Sequence, residues 1–153
     1  MIKANVISDH SNWIKNIKNP NDYLNKRLKI LSKAPFFKRK NHEFSVLLTN
    51  NKKMKKLNFK FRKKNKTTDV LSFPFYNKKE LMKKLKYEKE IYLGDIIVNI
   101  NKIRKNQDNT SFTKEFNKLW IHGLTHLFGY DHRKNSDFFE MLKIEKKFLS
   151  YLE

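Results

Sequence analysis

The segment that decides the fold runs from Phe112 to His132 and reads FTKEFNKLWIHGLTHLFGYDH. Its apolar residues recur every three or four positions, which is the period of an amphipathic helix. Ser111 can cap the start of this helix. The residues that form its apolar face are Phe112, Phe116, Leu119, Trp120, Gly123, Leu124 and Leu127. We therefore expect a long central helix that buries this face.

Three of the five histidines lie at the end of this helix, with the spacing H-x3-H-x5-H. Positions i and i+4 share a helix face, so His122 and His126 can bind one ion. Gly129 stands where a left-handed glycine ends a helix, which lets the chain return His132 over that face. Three imidazoles and an open fourth position are typical of a catalytic zinc site. The pattern predicts one metal ion per chain; His10 and His42 have no such context and remain unassigned.

The residue after the first histidine argues against one enzyme class. In H-E-x-x-H proteases that residue is the glutamate that acts as general base. Here it is Gly123, so a metal site is predicted without the peptidase base. A small residue there leaves room for a substrate or for a neighbouring strand.

The flanking sequence predicts an α+β fold. Four segments are typical of strands: Ile2–Ser8, Phe44–Thr49, Thr68–Phe75 and Tyr92–Ile100. Helices are predicted to start at Asn19-Pro20, at Asn50 and at Ser136, and the charged stretch Lys78–Lys89 is either a helix or a mobile insertion. We expect a single domain over residues 1–153, with a small mixed β-sheet packed by several helices and the metal site at the end of the central helix.

Composition excludes several other classes. The 153 residues include no cysteine, which excludes a disulfide framework, a thiolate zinc finger and a cysteine nucleophile. No stretch reaches the roughly 18 apolar residues that a membrane span needs. The formal net charge of +20 favours a polyanionic partner. Most of the cations are lysine, however, a preference that AT-rich codon usage also produces. We expect a protein of the cytoplasm.

The distribution of charge is more specific than its sum. Residues 52–66 hold nine cations and no acid, with Leu57, Phe59 and Phe61 interleaved. We read this run as a basic rim beside a site, and expect at least one of the two phenylalanines to turn into the core. Arg62 lies within it and is one of only five arginines. A guanidinium can bind phosphate with two hydrogen bonds and stabilise charge that develops in phosphoryl transfer.

Three motifs in order resemble the YbeY-type bacterial endoribonucleases, which are rRNA maturation factors. Residues 122–132, HGLTHLFGYDH, resemble the H-G-x-L-H-L-x-G-Y-D-H signature of that family, with Thr125 where leucine is more usual. The pair LNFKFR (57–62) and TDVLSFP (68–74) resembles a second block, and LGDI (93–96) resembles a strand start. The resemblance covers about residues 40–150.

The resemblance implies a zinc ion held by His122, His126 and His132, and single-strand-directed cleavage of RNA. It further implies action in 16S rRNA maturation and ribosome quality control, with the small ribosomal subunit and its assembly factors as partners. No membrane and no DNA partner are expected. Arg62 matches an arginine that the family is thought to need for activity. Asp69 and Asp95 are read as strand-end or turn residues, whereas Asp131 either orients a histidine or shapes its turn.

Two other functions are compatible with the same residues. One is a non-catalytic ribosome-assembly factor whose metal is structural, and the other is a metal hydrolase of a different substrate. If the chain cleaves RNA, either a metal-activated water or the ribose 2′-hydroxyl is the nucleophile. The sequence shows no obvious general base.

Overall fold

A four-stranded mixed sheet lies at the centre of the fold. The computed structural model describes residues 1–103 and 109–153. The strands are β1 (Ile2–Ser8), β2 (Asn41–Thr49), β3 (Val70–Pro74) and β4 (Glu90–Asn99), in the order β1-β2-β4-β3. β1 and β4 run parallel to β2, and β3 pairs antiparallel with β4. The expected small mixed sheet is confirmed, with β3 at one edge.

Six α-helices surround this sheet in the described part of the chain. They are α1 (Ser11–Asn16), α2 (Pro20–Leu31), α3 (Asn51–Arg62), α4 (Lys78–Tyr87), α5 (Asn109–Leu127) and α6 (Asn135–Ser150). Short 3₁₀ turns occupy Pro35–Phe37 and Ile100–Lys102. The α+β class is confirmed, and α5 is the long central helix.

Asparagine side chains start several of the helices. Asn19 and Asn50 each accept a backbone N–H of the first turn at 3.1 Å, as predicted. Asn77 and Glu80 form a reciprocal capping box at the start of α4. Leu81 of that helix is buried. The charged stretch of uncertain structure is therefore a packed helix and not a mobile insertion.

Some boundaries differ from those predicted. β3 begins at Val70 instead of Thr68, because the Thr68 carbonyl accepts from the side-chain amide of Asn99 at 3.0 Å. α5 begins at Asn109, so Ser111 lies inside the helix and not at its cap. The last helix begins one residue before Ser136. Strand pairing and tertiary hydrogen bonds determine where these elements begin, and the local propensities of the residues do not predict such contacts.

The sheet is covered differently on its two faces. One face carries the main core, where Trp13, Phe116 and Trp120 are fully buried. The other carries a smaller cluster of Met54, Leu71 and Ile97, which is covered by α3. No helix of the described ranges is long and apolar enough to cross a membrane.

Close packing of α5 on β4 explains the glycine after the first histidine. A Cβ on Gly123 would lie 2.8 Å from Cγ2 of Ile96, a residue with no exposed surface. Of the two explanations that the sequence left open, room for a neighbouring strand is thus the one that the structure shows. This contact fixes the height of the neighbouring His122 above the sheet.

Candidate metal centre

His122 and His126 face each other across one turn of α5. Their Nε2 atoms are 3.2 Å apart and their ring planes are nearly perpendicular, at 87°. The helical spacing predicted this pairing. Two nitrogens bound to one tetrahedral zinc at about 2.05 Å stand roughly 3.3 Å apart. The observed separation therefore suits two ligands of a single ion.

The turn after α5 brings the third histidine to the pair. Gly129 has a φ of +89°. Its N–H donates to His126 O at 2.9 Å, and the Tyr130 N–H donates to Thr125 O at 3.2 Å. These two bonds are those of a Schellman motif, with glycine in the left-handed position as predicted. One potential ligand nitrogen from each of His122, His126 and His132 then lies within 4.8 Å of the others.

The far nitrogens of the first two rings show that the donor set fits a cation. His126 Nδ1 lies 2.9 Å from Tyr130 O, and His122 Nδ1 lies 2.6 Å from Glu145 Oε1. Both partners are acceptors, so Nδ1 is the nitrogen that donates in each ring and Nε2 is the nitrogen that faces the neighbouring ring. Two Nε2 atoms 3.2 Å apart share a cation, which is either a metal ion bound by both or a proton carried by one of them. The residues present therefore fit a metal ion.

Glu145 is a residue of this site that sequence reasoning missed. It lies on α6, 23 residues from its partner His122, and its side chain is only 18% exposed. Carboxylates that accept from the outer N–H of a metal-binding histidine fix the ring and raise its basicity. One signal was available: Glu145 stands four residues after Met141 and three before Phe148, both buried. An acid on the apolar face of a helix indicates a buried partner.

Burial keeps His126 in the form that binds metal. Desolvation lowers the pKa of this imidazole below its usual value, and the neighbouring His122 and His132 lower it further. The hydrogen bond to Tyr130 O opposes them. The net lowering favours the neutral ring, and only a neutral imidazole can bind a metal ion.

Arg62 lies at the edge of the sheet, at the last position of α3. Its Nη2 donates to Ser72 O of β3 at 2.8 Å, and its guanidinium carbon is 5.4 Å from the centroid of the Phe73 ring. The turn after it is fixed by Asn58, a buried amide that donates to Lys66 O at 2.8 Å. The side chain is thus directed to β3 by two contacts, one with the Ser72 carbonyl and one with the Phe73 ring.

A short series of contacts joins this arginine to the histidines. Ser72, whose carbonyl holds Arg62, is paired with Ile96 of β4. The Ile96 side chain packs against Gly123, which directly follows His122. Arg62 and the histidine cluster therefore lie on either side of one strand pair.

A family model described as Endoribonuclease YbeY matches residues 6–153 of the chain. The chain belongs to this family. It is similar to the Endoribonuclease YbeY of Pelagibacter ubique, with 41% identity over all of this chain and 97% of the relative. It is also similar to the Endoribonuclease YbeY of Thermodesulfovibrio yellowstonii, with 38% identity over 71% of this chain and 66% of the relative. The predicted family is confirmed.

A solved structure has the same fold. The solution structure of a Thermotoga maritima protein is 28% identical to this chain and superposes with a TM-score of 0.57. The match covers 99% of this chain and 89% of that protein. The arrangement of sheet and helices described above is thus found in an experimentally determined relative.

Within the YbeY signature, the remaining polar residues support the turn. Asp131 accepts from the His132 N–H at 2.8 Å and pairs with Arg133 at 2.9 Å, so it shapes the turn and does not contact an imidazole. Of its two predicted roles, the structure thus shows the turn residue. Thr125 donates to His122 O at 2.7 Å and is fully buried, away from the cluster.

Asp69 and Asp95 make local contacts, as expected for structural residues. Asp69 accepts from the Val70 N–H at 2.7 Å, at the start of β3. Asp95 accepts from the Tyr92 hydroxyl at 2.7 Å. His10, which the sequence left unassigned, accepts from Asn12 N at the start of α1.

The basic run departs from expectation in its aromatic residues. Phe59 and Phe61 are each 55% exposed, so neither turns into the core. The core of α3 is supplied instead by Met54 and the Asn58 amide. The two rings are therefore free to contact another molecule beside the cations of residues 52–66.

Proposed function

We propose that this YbeY-family chain is a zinc-dependent endoribonuclease that cleaves single-stranded RNA. It holds one zinc ion per chain with His122, His126 and His132. The observation that carries the proposal is the cluster of three histidine nitrogens within 4.8 Å of one another, in which two Nε2 atoms face each other at 3.2 Å while both Nδ1 atoms contact acceptors. Membership of a family whose relatives are named endoribonucleases supplies the reaction class.

We further propose that the RNA is the 16S rRNA precursor. On this proposal the chain acts in the cytoplasm, in rRNA maturation and ribosome quality control, with the small ribosomal subunit and its assembly factors as partners. The net charge of +20 supports a polyanionic partner. The acid-free run at residues 52–66, which includes Arg62, would contact the phosphates that flank the cleaved bond.

A zinc ion in a three-histidine site polarises a phosphoryl oxygen and lowers the pKa of a water. The protein's own contribution is orientation. Glu145 and the Tyr130 carbonyl hold the first two imidazoles in the tautomer that presents Nε2, and Gly129 returns the third ring to them. Gly123 sets the distance between the histidines and the sheet.

Arg62 is the proposed phosphate-binding residue. A guanidinium has five N–H donors, and within the described ranges one hydrogen bond, to Ser72 O, holds this one in place. The remaining donors are available to a phosphate at the edge of β3. A guanidinium that is already in position before the substrate binds stabilises developing negative charge without reorganising during the reaction.

The test compares four proteins: wild type, His126→Ala, Arg62→Ala and Lys56→Ala. The last removes one exposed charge from the same helix as Arg62 and is the matched control. Zinc content is measured by mass spectrometry, folding by circular dichroism, and activity on a labelled single-stranded RNA. We expect His126→Ala to lose zinc and activity, and Arg62→Ala to keep zinc but lose about 100-fold or more in turnover. Lys56→Ala removes one of several charges of the basic run and should lose only a small part of the activity, far less than Arg62→Ala.

The products separate the open alternatives. A 2′,3′-cyclic phosphate would identify the ribose hydroxyl as nucleophile, and a linear phosphate with an intact 2′-hydroxyl would identify water. Full activity of zinc-free His126→Ala would refute the proposed mechanism. Loss of fold with loss of zinc, together with normal rRNA maturation by folded Arg62→Ala, would favour an assembly factor with a structural metal.

A further inference from the structure

A row of exposed aromatic rings continues from Arg62 along the α3 face of the sheet. The rings of Phe61 and Phe73 are 5.3 Å apart, and those of Phe75 and Tyr92 are 5.8 Å apart. Phe73 belongs to β3, and Phe75 directly follows the end of that strand, where its N–H bond to Leu93 O at 2.9 Å holds it on β4. We call these four residues the aromatic row.

Two members of the row, Phe73 and Tyr92, are held in place by neighbouring residues, and the other two are exposed. Phe73 packs on the small cluster beneath α3, and the Tyr92 hydroxyl is held by Ser45 at 2.8 Å. By contrast, Phe61 is 55% exposed and Phe75 is 63% exposed. A patch of neighbouring phenylalanines that stays in water usually marks a contact surface.

Positive charge lies at the Phe61–Phe73 end of this row, whereas at the other end the Asp95 carboxylate accepts from the Tyr92 hydroxyl at 2.7 Å. The Lys60 ammonium lies 5.3 Å from the centroid of the Phe61 ring, and the Arg62 guanidinium lies 5.4 Å from that of Phe73. The run 52–66 supplies seven further cations and no acid. Aromatic rings interleaved with cations are the means by which proteins bind single-stranded nucleic acid: bases stack on rings while cations contact phosphates.

The strand that carries the row contacts the end of the helix that carries the histidines. The backbones of Phe73 and Phe75 and the side chain of Leu127 all converge on Gly94 of β4, each within 3.1 Å of the position a Cβ would take there. Leu127 directly follows His126. The row and the end of α5 therefore lie against the same residue of β4.

We propose that the aromatic row is a stacking platform for bases of single-stranded RNA that flank the cleaved phosphodiester. This inference rests on the proposed function for the identity of its ligand. It assigns base contacts to Phe61 and Phe75 and leaves phosphate contacts to the cations.

The chain contains its own matched control. Phe59 lies on the same helix, has the same 55% exposure and stands in the same basic run as Phe61. Two residues correspond to about 200° around a helix, so Phe59 points away from Phe73. Truncating either ring leaves the buried core unchanged, and Phe59→Ala removes the same surface without touching the row.

The experiment measures affinity by fluorescence anisotropy with the full-length, zinc-loaded chain. The probes are a labelled single-stranded 12-mer RNA and an abasic strand of the same length, both checked for integrity on a gel afterwards. Stacking contributes about fivefold or more in affinity per base. We expect Phe61→Ala and Phe75→Ala to lose at least that factor on the RNA and almost nothing on the abasic strand. Phe59→Ala should match wild type on both probes.

The outcomes separate this inference from the proposed function. Equal RNA affinity of Phe61→Ala and Phe59→Ala would overturn the platform, even where wild type cleaves RNA normally. Equal losses on the two probes would also overturn it, because the rings would then not contact bases. A base-dependent loss confined to the row, in a protein that does not cleave, would support the platform and refute the proposed function.

Discussion

The buried imidazole of His42 makes the stability of this protein depend on pH. His42 is 3% exposed and lies edge-on against the rings of Phe37 and Phe128, at 5.4 and 5.7 Å. Burial lowers its pKa to about 4, a hydrogen bond to Met1 O opposes the shift, and the N-terminal amino group and Lys40 add to it. The folded protein therefore holds this ring neutral at a pH where an unfolded chain would protonate it.

The magnitude follows from the difference in pKa. An unfolded histidine has a pKa near 6.5, so the unfolded chain binds the extra proton first as the pH falls. The stabilisation is complete above pH 6.5, declines below it, and is fully lost below about pH 4. The total is about 3 kcal/mol, of which about 2 kcal/mol is lost between pH 7 and pH 5. The free energy of unfolding of such domains is only about 5–15 kcal/mol, so the loss is measurable.

The assay is urea unfolding of wild type and His42→Leu at pH 7 and pH 5. The substitution has its own packing cost, but that cost is equal at both pH values and cancels in the difference. All other residues are the same in both proteins, so their contributions cancel as well. We expect wild type to lose about 2 kcal/mol more than His42→Leu on acidification. An equal loss in the two proteins would refute the reasoning.

Three further substitutions test the metal centre. Glu145→Gln should weaken zinc binding about 10- to 100-fold in a chelator competition, because the His122 ring loses its charged acceptor, whereas Glu140→Gln on the exposed side of α6 should not. Gly123→Ala should lower the free energy of unfolding by about 1–3 kcal/mol, although alanine has the better helix propensity. Adding Ile96→Ala should restore part of that loss. A net gain in stability of Gly123→Ala would contradict the close approach of α5 to Ile96. Gly129→Ala should cost about 1–2 kcal/mol in stability, from the positive φ, and should weaken zinc binding by displacing His132; unchanged zinc affinity would show that the turn does not position the third ring.

The sequence predicted the parts of the site that local periodicity controls. His122 and His126 meet because a helix places residues four apart on one face, and Gly129 turns the chain because its position follows the last apolar residue. The helix starts at Asn19 and Asn50 were predicted for the same reason, since capping depends on residues within one turn.

The parts that the sequence missed, left open or predicted wrongly depend on tertiary contacts. Glu145 reaches His122 from a helix 23 positions away, and nothing local links them. Asp131 was given two possible roles, and only the geometry of the turn shows which is present. Phe59 and Phe61 were expected to include a core residue, but the core position on α3 is filled by Met54.

The outer edge of β3 has a consequence for how copies of this protein meet. Asp69 O and Phe75 N bond to β4, so the alternate residues Ser72 and Pro74 direct their backbone groups outward. Pro74 has no N–H to offer, and the Ser72 carbonyl is already occupied by Arg62. An incoming strand therefore finds no donor at Pro74 and no free acceptor at Ser72, which hinders the edge from pairing with a second molecule. Arg62→Lys, which keeps a donor near this carbonyl, should consequently stay monodisperse at concentrations where Arg62→Ala begins to self-associate.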